Sequence, residues 1–239
     1  KKYYDVDVDW SHLAGKIVAV LGYGSQGRAQ AANLRDSGFA VIVGVRPGRS
    51  FDAASGDGFT VMPVADATAR ADVLAMLVPD ESAAEIFRQD MLPWIHDGQT
   101  IVFAHGFNIH YGQIVPPPNV DVVMVAPKGV GPQVRRLFLD GSGVASLIAV
   151  HQDVTGSAKK TALVFAKGIG SARSVIMEST FADETETDLF GEQTVICGGV
   201  VNLMQAAYAT LVEAGYEPEM AYYECMHELK LVVDLMYEG

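Results

Sequence analysis

The stretch Lys16–Gly27, KIVAVLGYGSQG, decides the fold. Its first half is an unbroken run of aliphatic residues, which reads as a strand buried on both faces. Its second half, Gly22-Tyr23-Gly24-Ser25-Gln26-Gly27, is a G-x-G-x-x-G turn. A helical stretch from Arg28 to Ser37 follows and ends at Gly38, and a second apolar strand, AVIVGV, starts at Ala40. Strand, glycine turn, helix and strand in that order are the context in which this pattern holds a dinucleotide. The glycines allow the tight turn and let backbone N–H groups approach a pyrophosphate at the helix N-terminus. Gly22, Tyr23, Gly24, Ser25, Gln26 and Gly27 are therefore the expected cofactor-binding turn.

The end of the second strand bears on which dinucleotide binds. A site for NAD usually places an acid there, on the ribose 2′-OH. This chain has Val45-Arg46-Pro47-Gly48-Arg49-Ser50 instead. Arg46, Arg49 and Ser50 suit a 2′-phosphate through charge, fork geometry and a hydroxyl donor. Asp52 follows closely and opposes a phosphate, so NADP leads and NAD stays open.

Working outward, further strands are expected at Val73–Val78, Thr100–Ala104, Asp121–Ala126, Val144–Val150 and Arg173–Met177. Helices are expected near Ser82–Gln89 and Ser157–Lys167. This alternation predicts a Rossmann-type, doubly wound, mostly parallel α/β sheet. After Ser179 the strand signal stops. Two long helices are expected, one over about Thr185–Ala214 closing at Gly215, the next starting after Pro218, which suits a first helical position. The expected domains are 1–179, dinucleotide-binding, and 180–239, all-α. Gly191, Gly198 and Gly199 weaken the first long helix by roughly 1 kcal/mol each relative to Ala, which suggests close packing against another helix or backbone.

The helical part carries two carboxylate pairs at i, i+4 spacing: Asp188 with Glu192, and Glu224 with Glu228. Residues four apart share a helix face. Four carboxylates gathered in apolar surroundings stay ionised only if cations compensate them, and clustered hard oxygens suit Mg²⁺, with room for two ions. Either pair alone reads as a solvated stripe. In the first part, FAHGFNIH (103–110) and VAPKG (125–129) each follow a strand. His105 and Lys128 therefore sit at consecutive strand ends, where open α/β sheets hold their ligands. His110 and His151 carry no comparable context and read as structural.

The 239 residues, 49% of them hydrophobic, suffice for one large or two moderate domains. The net charge of −12 argues against nucleic acid and anionic membranes as partners. Cys197 and Cys225 have no metal-ligand spacing and read as buried thiols in a reducing, cytoplasmic compartment. No apolar run is expected to span a membrane, and no signal peptide is read at the start.

Together GYGSQG, FAHGFNIH, APKGVGPQVR, ETETDLFGEQ and EAGYEPEMAYYECMHELKLVVDLMYEG closely resemble ketol-acid reductoisomerase, in its short form. The resemblance covers essentially the whole chain. It implies a helical second domain of the knotted type and a two-step reaction. A Mg²⁺-dependent alkyl shift in 2-acetolactate or 2-aceto-2-hydroxybutyrate is followed by NAD(P)H reduction to the 2,3-dihydroxyacid, in valine and isoleucine synthesis. It places two Mg²⁺ on Asp188, Glu192, Glu224 and Glu228, the active-site His on His105 and the Lys on Lys128, and it counts Glu228 also among the catalytic groups. Asp80 and Gly131 join the cofactor-binding positions. The resemblance further implies that Glu224 and Glu228 meet Asp188 and Glu192 of a second copy, so that the site needs a homodimer or higher oligomer. Two departures appear. The Arg46–Ser50 loop is one residue shorter than in common short forms, and a substrate-binding Ser is expected beyond Gly239. Two rival readings are a metal-free NADP-dependent 2-hydroxyacid dehydrogenase and a non-enzymatic NAD(P)-binding dimeric module. Neither requires four paired carboxylates.

Overall fold

The computed structural model describes residues 1–238. It divides into two compact units, Lys1–Thr185 and Glu186 onward.

The first unit contains, in chain order, β1 (Lys2–Tyr3), β2 (Ile17–Leu21), α1 (Ser25–Asp36), β3 (Ala40–Gly44), α2 (Arg49–Gly56), β4 (Thr60–Met62), α3 (Val64–Arg70) and β5 (Val73–Met76). It continues with α4 (Asp80–Ile86), β6 (Thr100–Phe103), α5 (Phe107–His110), β7 (Asp121–Pro127), α6 (Gly131–Leu139), β8 (Ser146–Gln152), α7 (Ala158–Gly168) and β9 (Ile176–Glu178). The nine strands form one sheet in the order β1-β9-β8-β7-β6-β5-β2-β3-β4. From β4 to β7 every neighbouring pair is parallel. Strand β8 runs antiparallel to β7, β9 parallel to β8, and β1 closes the edge antiparallel to β9. The doubly wound, mostly parallel sheet is thus as the sequence predicts. Short β1 and β4, and helices α2, α3 and α6, escape the periodicity, because each is brief and half of its side chains meet water.

Residues 18–21 of β2 and 101–102 of β6 are almost wholly buried, which is why these strands read as continuous apolar runs. One apolar layer, including Val18, Leu34 and Phe165, lies on one face of the sheet. The other, including Leu21, Leu74 and Met124, lies on the opposite face, since successive strand residues point to opposite sides. The chain leaves β2 first toward β3 and β4, then crosses to β5 on its other side. The strand order therefore reverses at β2, and the crevice beyond the carboxyl ends of β2 and β5 is the place for a ligand.

The second unit is helical. Helix α8 (Phe181–Phe190) begins in the first unit, and α9 (Gly199–Glu213), α10 (Pro218–Tyr222) and α11 (Glu228–Glu238) follow. Pro218 occupies the first turn of α10, as expected. Two wide i→i+5 turns, Gly191–Ile196 and Tyr223–His227, interrupt what the sequence presents as plain α-helix. Gly198 and Gly199 follow the first of these, at the start of α9. A Cβ on Gly198 would lie 1.8 Å from the Gln193 carbonyl oxygen, and one on Gly199 2.2 Å from that of Thr194. Nothing lies within 4 Å of a Cβ on Gly191. Gly198 and Gly199 thus lie against backbone, the carbonyls of the widened turn just before them, while Gly191 faces open space.

Two further expectations are corrected. Cys197 is exposed and Cys225 is partly exposed, so neither is a buried thiol. The helical run Phe181–Glu213 is 33 residues long, contains an 18-residue window of mean hydropathy 1.6, and is long and apolar enough to cross a membrane by length and composition alone. No charged residue lies between Glu192 and Glu213. The scattered Gln, Asn and Thr side chains mask the run in the sequence.

Candidate active site

The turn from β2 to α1 borders an open groove of about 590 Å³. Gly22 to Gln26 line it, together with the loop Val45–Ser50 and the segment Leu77-Val78-Pro79. The predicted cofactor residues Gly22–Gln26, Arg46, Arg49 and Ser50 therefore meet at one groove. The glycines have different tasks. Gly22 has φ +100° and sits so close to β5's exit that a Cβ would lie 2.6 Å from the Leu77 carbonyl oxygen. A Cβ on Gly27 would lie 2.1 Å from the Gly22 carbonyl oxygen, and one on Gly131 2.0 Å from that of Ser25. These three let backbone meet backbone. Gly24 differs: nothing lies within 4 Å of its Cβ position. The open side of the turn, at the N-terminus of α1, fits a pyrophosphate.

The structure sorts the remaining cofactor candidates. Tyr23 contributes only backbone to the turn. Its ring is buried against Phe59, and its hydroxyl donates to Asp57 Oδ2 at 2.8 Å. Burial and then this carboxylate push the phenol far above its usual range. Gln26 Nε2 donates to the Gly129 carbonyl at 2.8 Å and so ties the turn to the loop after β7. Arg46 and Arg49 are exposed, and neither forms an ion pair among the described residues. Asp80 opens α4 at the groove's edge, and its carboxylate accepts from Asn108 Nδ2 at 2.8 Å.

His105 and Lys128 are brought together by a residue that the sequence reading missed. Glu184, in the first turns of α8, is 1% exposed. Its Oε2 lies 2.9 Å from His105 Nδ1 and accepts from the Gly106 backbone N–H at 2.9 Å. Its Oε1 accepts from Lys128 Nζ at 2.8 Å. Burial opposes this charge most strongly. The bonds from His105, Lys128 and Gly106 outweigh it and hold the carboxyl below its usual range. Gly106 makes the approach possible, since a Cβ there would lie 2.3 Å from Thr185 Oγ1 and 2.6 Å from the Phe181 carbonyl oxygen. The side chains of His105 and Lys128 are 20% and 33% exposed, so both reach solvent while anchored from below. A signal was available: Glu184, Asp188 and Glu192 continue one i, i+4, i+8 stripe.

Glu192 and Glu224 lie in the two wide turns, and Glu228 opens α11. All three are exposed. Among the described residues, Glu192, Glu224 and Glu228 belong to no cluster of three or more potential metal ligands. The hard oxygens of these three and of Asp188 suit Mg²⁺, but one copy does not assemble all four.

Two family models divide the chain between them. Residues 12–175 match the NADPH-binding domain of acetohydroxy acid isomeroreductase, and residues 181–239 match the C-terminal domain of ketol-acid reductoisomerase. The chain belongs to the ketol-acid reductoisomerase family. A solved NADH-preferring ketol-acid reductoisomerase from an uncultured archean is 46% identical, with a TM-score of 0.97, over 100% of this chain and 74% of that one. More distant structures share the fold alone. A semialdehyde dehydrogenase NAD-binding protein from Cupriavidus necator is 18% identical (TM-score 0.75; 93% of this chain, 84% of that one). A putative oxidoreductase from Jannaschia sp. CCS1 is 15% identical (TM-score 0.73; 93% and 84%). The nicotinamide cofactor that the family implies fits the groove, whose glycine turn leaves phosphate space open at Gly24.

Two predictions follow from this geometry. Gly24→Val places its side chain in open space at φ −82°, which any residue adopts. Thermal unfolding should stay within a few degrees of the parent while NAD(P)H binding, read by fluorescence titration, is lost. Retained binding would remove the groove as the cofactor site. The second concerns Glu184→Gln. A carboxyl depressed on folding contributes stability that is complete above its unfolded value, near 4.5, and is lost as pH falls through the folded value. Urea midpoints of parent and Glu184→Gln should therefore differ most at neutral pH and converge in acid. A gap that widens toward acid would contradict the ionised carboxylate.

Proposed function

We propose that this chain catalyses the ketol-acid reductoisomerase reaction, alkyl migration in 2-acetolactate or 2-aceto-2-hydroxybutyrate and then reduction to the 2,3-dihydroxyacid. The observation that carries the reading is Glu184 joining His105 to Lys128 at the strand ends beside the dinucleotide groove, in a chain of this family. Bound Mg²⁺ would supply Lewis-acid polarisation of substrate oxygens, and bound nicotinamide would supply the hydride. The protein's own groups do the rest. The Nδ1 bond to Glu184 fixes the plane of His105, and with it the direction of Nε2, for orienting substrate groups or water. Lys128, held in place by the same carboxylate, stabilises negative charge developing on a substrate oxygen.

Asp188, Glu192, Glu224 and Glu228 are the proposed ligands of two Mg²⁺, shared between two copies of the chain. The second unit supports an oligomer. Among the described residues, Ala221 is its one fully buried apolar residue, while Phe190, Leu203, Met220, Leu235, Met236 and Tyr237 are each more than half exposed. A surface of this kind calls for a partner, and a second copy also supplies the missing carboxylates. On this reading the apolar length of 181–213 serves a subunit interface in the cytoplasm, not a membrane.

For the cofactor we favour NADPH, with NADH as the alternative. Two exposed guanidinium groups, without an ion pair among the described residues, and the Ser50 hydroxyl in the groove suit a 2′-phosphate. The NADH preference of the archean enzyme keeps the alternative live. Charge-assisted bonds of this kind contribute roughly 1.5–3 kcal/mol each when well formed. Replacing Arg46 and Arg49 together by Ala should raise Kd for NADPH at least tenfold more than for NADH. Equal losses would show that the arginines do not read the phosphate.

The activity itself is tested by following NAD(P)H oxidation with 2-acetolactate, with and without Mg²⁺. The parent should turn over only with Mg²⁺. Glu192→Gln should lose at least a hundredfold in this coupled reaction, because a ligand charge is removed from a metal cluster. It should keep more of its rate on a pre-formed 2-keto-3-hydroxyacid, which needs no carbon migration. Mg²⁺-independent turnover, or a Glu192→Gln chain at parental rate, would overturn the metal assignment.

A further inference from the structure

Asn108, three residues past His105, is 1% exposed. Its Nδ2 donates to Asp80 Oδ1 at 2.8 Å and lies 3.3 Å from the Asp80 backbone carbonyl. Its Oδ1 is buried and has no hydrogen-bond partner among the described residues. A buried amide carbonyl without a partner is destabilising, and a leucine of similar volume would avoid that cost. Packing alone therefore does not account for an amide here. The remaining feature is its bond to Asp80.

That bond joins two loops. Strands β5 and β6 are parallel neighbours, with Met76 opposite Phe103. Asp80 lies just beyond Leu77-Val78-Pro79, which line the dinucleotide groove. His105 lies just beyond Phe103 and is fixed from the other side by Glu184. Asn108 spans the gap from within, too buried to touch a ligand itself. We infer that Asn108 is a positioning residue, whose amide holds the Asp80 edge of the groove and the His105 loop in one register, so that a bound dinucleotide and His105 address the same substrate. Desolvation raises the pKa of Asp80, and His105 and the Asn108 bond only partly oppose that rise.

The inference rests on the groove taking a nicotinamide dinucleotide, and the test separates the two. NADPH is titrated by fluorescence into the purified full chain without substrate, and kcat and KM for 2-acetolactate are then measured. Parent, Asn108→Leu, Asn108→Asp, Asp80→Asn and the double exchange D80N/N108D are compared. Asn108→Leu loses the unpartnered carbonyl but also both bonds to Asp80, so its thermal midpoint should stay within a few degrees of the parent. Its kcat should nonetheless fall about tenfold and its NADPH affinity about threefold or more, with KM for 2-acetolactate within about threefold. Asn108→Asp sets two carboxylates against each other and should bind NADPH more weakly still. The double exchange restores an amide facing a carboxylate and should recover binding relative to Asn108→Asp. A parent that binds no dinucleotide removes the functional reading and this inference with it. A parent that binds, with an Asn108→Leu chain indistinguishable from it in both kcat and NADPH affinity, overturns the inference alone. So does a double exchange whose losses are the product of the single ones. If Asn108→Leu does not fold, the shape-preserving Asn108→Asp and the exchange decide the matter.

Discussion

The buried carboxylate of Glu184 is the constraint on which the arrangement of the strand ends bearing His105 and Lys128 depends. An ion that is 1% exposed must be compensated where it sits. Its two oxygens meet three donors: the His105 ring, the Gly106 backbone and the Lys128 ammonium. Two of these lie on the loop after β6 and one on the loop after β7. One anion from α8 thus fixes both strand ends at once, and neither loop can shift without leaving a charge partly unpaired. Gly106 is part of the same device. Its missing side chain gives Phe181 and Thr185 room to bring the helix start over the loop. The Phe103–Phe181 edge-to-face contact, 6.5 Å between ring centres, sets the apolar floor beneath it.

The dinucleotide half rests on a different principle, contact between backbones. Gly22, Gly27 and Gly131 each occupy a place where a methyl group would strike a carbonyl oxygen. Together they press the turn between the exits of β5 and β7 and the start of α1. Gly24 is the exception, facing space instead of protein. Three of the four glycines therefore build the turn and one leaves it open to a ligand. The Gln26 bond to Gly129 then connects this rigid turn to the Lys128 loop, as Asn108 connects Asp80 to the His105 loop. The cofactor groove and the His105–Glu184–Lys128 group thus belong to one connected framework.

What was legible in the sequence is what local periodicity and steric rules encode. The β2 turn and the strand ends bearing His105 and Lys128 follow from apolar runs and glycine spacing, both properties of a few consecutive residues. Glu184 was not legible in the same way, because its partners are 56 and 79 residues away. Its place on the 184–188–192 stripe hinted at a role but not at burial. The wide turns at 191–196 and 223–227 were missed because i, i+4 spacing survives them nearly unchanged. The exposed Cys197 shows the limit of reading burial from apolarity: an apolar helix is buried only if something covers it.

In the proposed dimer, that last point ties metal to assembly. The second unit covers little of its own apolar surface, so association of copies is favoured by burial at about 25 cal/mol per Å². The same association would bring Glu224 and Glu228 toward Asp188 and Glu192, where four carboxylates repel as their water is withdrawn. Mg²⁺ removes that repulsion, so the cation binds the associated state better than the separate chains. Anything that binds one state preferentially shifts the equilibrium toward it. Metal binding and association would therefore reinforce each other through the charges on the two wide turns. The apolar faces would supply the bulk of the affinity. The carboxylates would oppose assembly in the absence of metal and set its register when metal is present. On this reading the exposed acids and the exposed apolar face are two halves of one interface, and the wide turns that carry Glu192 and Glu224 mark where the helices depart from ideal geometry to present ligands.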